Sequence, residues 1–130
     1  MVLMFKEDGF FWSNNIGNLI MTNTFTHIEA IKAVVGFSEQ RNDAFSALLQ
    51  FEQSQIVYTV TNADLSSVLQ RVLSLEIDCD DLELWANLLE IRGDIDHTQV
   101  EGALYALANP EQMGVLTMDK VSKLLALIDN

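Results

Sequence analysis

From residue 26 onward the apolar residues recur at intervals of three and four, the period of helices buried along one face. Ile28, Ile31, Val34 and Val35 form the first such stripe, opened by Thr26 and Glu29 at capping-box spacing and stopped by Gly36. Phe45, Leu48 and Leu49 point inward from a second helix over about residues 42–52. Leu65, Val68, Leu69, Val72 and Leu73 make a third, capped by Thr61 or Asn62. The fourth runs from Asp78 to Arg92, with Leu82, Trp85, Ala86, Leu88 and Leu89 on one face. It opens with Asp78, Asp80, Asp81 and Glu83, carboxylates that suit the positive end of a helix dipole. Asp80 and Glu83 have the spacing of an N-cap and the acid that reaches back to it, and Gly93 ends the helix where a left-handed residue is commonly needed. Asp96 and Gln99 repeat the capping-box spacing, and Val100, Ala103, Leu104, Leu107 and Ala108 line the helix that follows. Asn109-Pro110 breaks it, Gly114 closes the loop, and Thr117 caps a last helix with Val121, Leu124, Leu125 and Ile128 inward.

Two stretches lack that period. Residues 1–23 carry an aromatic run at Phe10–Trp12 and then turn-forming residues, which fits either an irregular arm packed on the domain or a short strand. Gln55–Thr61 (QIVYTVT) has strand propensity but no evident partner except the N-terminal segment. It reads as the tail of the second helix or a connector, with a two-stranded ribbon as the alternative. The expected class is therefore all-α, a compact array of about six helices in one domain over residues 1–130.

Charge narrows the partners. Seven bases against 19 acids leave a net charge of −12, a field that opposes nucleic-acid phosphates and anionic lipid and favours a basic protein. The single cysteine, Cys79, forms no internal disulfide and fits a reducing compartment. The apolar opening MVLMF meets Lys6, Glu7 and Asp8 at once, too soon for a signal-peptide core, so the expected location is the cytoplasm.

Reactive chemistry is hard to find. His27 and His97 are the only imidazoles, and both fall near helix starts where a surface histidine is ordinary. Cys79 sits among Asp78, Asp80 and Asp81, whose charge raises a thiol pKa. A calcium loop beginning at Asp78 puts Glu83 where glycine is required and Leu89 where glutamate is required. One beginning at Asp94 fails at Gln99 and Tyr105. Arg92-Gly93-Asp94 spells an adhesion tripeptide, but Gly93 is better used as a helix stop. A hydrolase on paired carboxylates is a third-ranked reading, because 19 acids bring some together by composition alone. No catalytic, cofactor-binding or metal-ligating residue is assigned.

What stands out is a negative segment. Between Glu76 and Glu101 lie Asp78, Asp80, Asp81, Glu83, Glu90, Asp94 and Asp96, opposed by Arg92 alone. Some of these acids serve as caps. The functional reading makes Asp78, Asp80, Asp81, Glu83, Glu90, Asp94, Asp96 and Glu101 a docking surface for a strongly basic protein. The fourth helix is about 20 Å long, so a continuous face needs a neighbouring helix to bring its acids alongside.

The run Asp81–Glu90 (DLELWANLLE), followed by Arg92, by Leu107-Ala108-Asn109-Pro110-Glu111 and by Gly114-Val115-Leu116-Thr117, resembles small bacterial immunity proteins. These are encoded beside polymorphic toxins, including those of contact-dependent growth inhibition. The likeness lies in a "WA" helix, an acidic turn, a "LANP" helix end and a final leucine-rich helix. It covers about residues 75–128, and Gln112-Met113 departs from the more polar turn expected after Pro110-Glu111. The resemblance implies tight binding to one cognate toxin domain, usually a basic nuclease, by covering its active site or substrate groove, without cofactor or turnover. The alternative is an acidic helical adaptor or regulatory module that binds another protein.

Overall fold

The computed structural model describes residues 25–128, so the expectation of an N-terminal arm over 1–23 lies outside the described residues. The first helix, α1 (His27–Val35), forms as its capping box requires: the Thr26 hydroxyl accepts from the Glu29 amide and the Glu29 carboxylate accepts from the Thr26 amide. Ala30, Ile31, Val34 and Val35 are buried. The chain then turns at Phe37, an L-residue held in the left-handed region (φ 53°).

Helix α2 (Arg41–Leu48) is shorter than expected, and its inward face is shifted by one residue. The segment Ala44–Phe51 supports two helical phases, one through Ala44, Ala47, Leu48 and Phe51 and one through Phe45, Leu48 and Leu49. The first is adopted. Small Ala44 packs at 0% exposure, and this close seat against α1 turns Phe45 and Leu49 outward, at 40% and 70% exposed. Three successive bonds of i to i+3 type (Leu49 to Ser46, Gln50 to Ala47, Phe51 to Leu48) tighten the last turn and end the helix.

The Gln55–Thr61 stretch is not a helical tail. Tyr58–Thr59 (β1) pairs in parallel with Ile95–Asp96 (β2), in register Tyr58 to Ile95 and Thr59 to Asp96. The ribbon alternative holds, but its partner comes from beyond the acidic helix. Sequence gave little sign of that partner, because a two-residue strand has no period. Thr61, not Asn62, then caps α3 (Asn62–Leu73) in a reciprocal box with Asp64. The same Asp64 carboxylate accepts the Tyr58 hydroxyl at 2.9 Å. Burial first, and then the bond to Asp64 and its charge, push the Tyr58 phenol up to about 12.

The acidic helix α4 (Cys79–Ile91) is capped by Asp78, whose carboxylate accepts from the Asp81 amide at 2.8 Å, and not by Asp80. Ile77 decides the register. It is buried just outside the cap, with Leu82 buried at the position a hydrophobic staple uses. Arg92 leaves the helix in an extended conformation, and Gly93 is not the left-handed stop that was expected. A Cβ at Gly93 would stand 2.7 Å from the Gln53 carbonyl oxygen, and its amide donates to the Gln53 side chain at 2.7 Å. The glycine serves a close approach of two chain segments.

The second expected capping box also fails to form. Asp96 accepts from the amide and hydroxyl of Thr98, making a local turn, while Gln99 accepts from the Asn62 amide. A 3₁₀ turn at Thr98–Val100 intervenes before α5 (Glu101–Ala108). Pro110 both ends α5 and starts a single turn, α6 (Pro110–Met113), closed by Gly114 at φ 94°. Thr117 caps α7 (Met118–Ile128) through the Lys120 amide.

Helices pack as α1 on α2, α4 on α5 and α3 on α7. The buried residues join in one apolar cluster, with Leu65, Leu69, Leu82, Leu89, Leu104 and Leu107 at 0% exposure. The class is all-α, with seven helices among the described residues and one short parallel ribbon. No described helix is long and apolar enough to cross a membrane.

Candidate protein-interaction groove

Helix α4 carries more apolar residues than it can bury. Leu82, Trp85, Ala86 and Leu89 face the core, which leaves Leu84 and Ile91 outside at 67% and 76% exposed and Leu88 half-buried. Trp85 fixes the helix against α1. Its indole N–H donates to the Val34 and Val35 carbonyls at 3.1 and 3.2 Å, in the last turn of α1, where the Val34 carbonyl also accepts from the Phe37 amide.

That seat opens a groove of about 470 Å³ between α2 and α4. Val34, Phe37 and Trp85, all nearly buried, form its floor. Phe45 from α2 and Leu84 and Leu88 from α4 stand as walls. Asp81 and Arg41 supply polar edges. Two cations hold the turn at its end: the Arg41 guanidinium lies 4.1 Å from the Phe37 ring centre, and Arg71 lies 5.8 Å from it. Arg71 also donates to the Gly36 carbonyl at 2.9 Å and pairs with Glu76 at 3.0 Å. These contacts support the left-handed Phe37 at the floor of the groove.

The acids assigned to a docking surface separate into groups. Asp78, Asp80, Asp81 and Glu83 gather on the first turns of α4, with Asp78 and Asp80 exposed and Asp81 and Glu83 half-buried. None of Asp78, Asp80 and Asp81 forms an ion pair with a described residue. Glu90 lies two turns further along α4, Asp96 is used by Thr98 on β2, and Glu101 is exposed at the start of α5.

Asp94 must be removed from the exposed set. It is 0% exposed and takes two hydrogen bonds from Arg92, Nε to Oδ1 at 2.9 Å and Nη2 to Oδ2 at 2.6 Å. His27 Nε2 lies 2.7 Å from Oδ2, and its ring stacks on Phe51 at 4.5 Å between centres. Burial alone would raise the Asp94 carboxyl, but the bonds from Arg92 and His27 outweigh it and hold the group below its usual range. The side chain therefore ties the start of α1 to the end of α4, while the Asp94 main-chain carbonyl accepts from the Val57 amide beside the β1–β2 ribbon. His27, expected as an ordinary surface imidazole, belongs to this cluster.

Cys79 behaves as its neighbours dictate: burial, then the charges of Asp78 and Asp80, push its thiol up. Among the described residues no group of three His, Cys, Asp or Glu could hold a metal ion. The groove residues Phe45, Leu84 and Leu88 were absent from the sequence-based site. The available signal was the surplus of leucines on α4, since Leu84 has no place on the stripe that Leu82, Trp85 and Leu89 define. No family model, curated protein or solved structure matches this chain.

Proposed function

We propose that this chain is a binding protein that neutralises a basic protein partner by covering its functional surface, as an immunity protein does for a cognate toxin domain of nuclease type. The observation that carries the reading is the outer side of α4, where exposed Leu84 and Ile91 continue from the carboxylates of Asp78, Asp80 and Asp81. Asp78 serves as the cap of α4, but the exposed leucine and isoleucine and the further charge of Asp80 and Asp81 beside them exceed what a cap needs. Exposed apolar side chains cost solubility, and carboxylates crowded on one helix end repel one another beyond what the helix dipole offsets. Both costs vanish in a complex with a cationic, partly apolar surface. A nuclease that grips phosphate presents Lys and Arg, and carboxylates replace phosphate as their partners. The chain acts in the cytoplasm by occlusion, and the resemblance of residues 75–128 to immunity proteins supports a toxin domain as the class of partner.

The reading requires a toxin domain encoded beside this chain, and the test is co-expression with it. Protection of the cell and a stoichiometric purified complex are expected. Asp80→Lys with Asp81→Lys should slow association and weaken protection while the far-ultraviolet spectrum stays unchanged. A parent chain that neither protects nor binds refutes the reading and leaves the adaptor alternative, in which the partner is not a toxin.

A further inference from the structure

Resting on that reading, we infer that the α2–α4 groove receives an amphipathic helix of the basic partner, with its Lys or Arg side chains lying at the Asp81 end. Three features lead there. The α4 wall of the groove extends from Asp81 to Leu88, about 10 Å along the axis, which is the length between positions i and i+7 of an incoming helix. Such a helix offers apolar side chains at i, i+3 or i+4, and i+7, and the groove offers an apolar floor with Phe45 and Leu84 standing free on opposite walls. The charges are also asymmetric. Asp81 lies at one end of the α4 wall, with Asp78 and Asp80 just before it on the helix and none of the three ion-paired with a described residue, whereas Leu88 marks the other end.

Arg41 refines the placement. Its guanidinium is stacked on Phe37 and bonded to the Ser38 carbonyl at 3.3 Å, so it repels a cation arriving along α2. The partner's cations therefore settle over α4, not over α2. A second copy of this chain is the disfavoured occupant, because two molecules of charge −12 would have to bring their acid-bearing helices together.

The probe is a dye-labelled amphipathic helical peptide of Leu and Lys, measured by fluorescence anisotropy against the full chain. Its comparators are a peptide with the same leucines and Glu for Lys, and a scrambled Leu/Lys peptide of equal charge but no apolar face. The Leu/Lys helix should bind, and the Glu version should not. The scrambled peptide should bind at least about tenfold more weakly, and lose its binding in high salt. Leu84→Ser and Phe45→Ser, both at exposed positions and neutral in charge, should each weaken the helical peptide by about tenfold or more while leaving the thermal midpoint within a few degrees.

Equal binding of the helical and scrambled peptides, or unchanged binding by both groove variants, overturns the inference. So does a chain dimer that Leu84→Ser dissociates, since the occupant is then a second copy. The toxin experiment separates the two claims. Groove variants that still protect the cell sink the groove and spare the proposed function, whereas a parent that does not protect sinks the function and leaves the peptide result to judge the groove.

Discussion

Removing the Asp94 carboxylate should cost more than any other single polar change among the described residues. In Asp94→Ala the guanidinium of Arg92, whose side chain is 4% exposed, loses both of its partners and stays buried as an uncompensated charge. Breaking one side of a buried pair costs about 3–5 kcal/mol, against a total stability of ~5–15 kcal/mol for a domain of this kind. At this size that lowers the thermal midpoint by roughly 10–20 °C. The main-chain carbonyl of Asp94 still accepts from the Val57 amide at 2.8 Å, so the loss belongs to the side chain. His27→Leu removes one bond at a position 24% exposed and should cost only about 1 kcal/mol.

Chemical denaturation of the parent, Asp94→Ala, Arg92→Met and the double variant completes a cycle. The double variant should recover part of the loss, because the bare guanidinium has gone with its partner. The pH dependence has a definite sign. The folded carboxyl titrates below its unfolded value, so its contribution is fully present above about pH 4–5 and is lost as pH falls through the folded value. The stability gap between parent and Asp94→Asn should be flat near neutrality and shrink on acidification. A cost below ~1 kcal/mol for Asp94→Ala, or additive single changes in the cycle, would refute the argument that this pair is desolvated and coupled.

Two further substitutions probe a left-handed residue and a close approach of two segments. Leu75 is 79% exposed at φ 70°, so Leu75→Gly relieves a left-handed L-residue and should stabilise the protein by about 1 kcal/mol in urea unfolding; a lower midpoint would show that the leucine packs on something. Gly93→Ala forces a methyl to 2.7 Å from the Gln53 carbonyl and should destabilise by about 1–3 kcal/mol, whereas a neutral result would mean that the two segments separate freely.

Helix identity was legible wherever a stripe of large aliphatics met a cap, as in α1, α3 and α7. Phase was legible only where one stripe dominated. In α2 the alanines and phenylalanines permit two faces, and packing against α1 chose the face with the smaller residue. Caps were misplaced where several acids compete: Asp78, Asp80 and Asp81 are locally equivalent, and buried Ile77 breaks the tie by fixing where the chain enters. The β1–β2 ribbon left almost no trace, because its two-residue strands are defined by what they meet across 37 positions of chain. Asp94 was misassigned for a related reason. Composition counts it with the exposed acids, and only the fold brings His27 to it from 67 residues away.

The site was only half legible for a similar physical reason. Charge can be counted from sequence, so the acidic end of α4 stood out. Apolar residues on a helix default to the core, and it takes the packed structure to show that α4 buries Leu82, Trp85 and Leu89 and has no room left for Leu84. On the proposed reading the two halves act on different rates. Long-range attraction to the carboxylates raises the encounter rate and is screened by salt, whereas burial of Phe45 and Leu84 slows dissociation and is not. Asp80→Lys with Asp81→Lys should therefore change mainly the association rate and flatten its dependence on salt. Leu84→Ser, which removes the apolar side chain without adding charge, should change mainly the dissociation rate, to a similar extent at low and high salt. Surface plasmon resonance with the cognate domain separates these effects. Variants that both act on association alone would leave the apolar groove without a part in holding the partner.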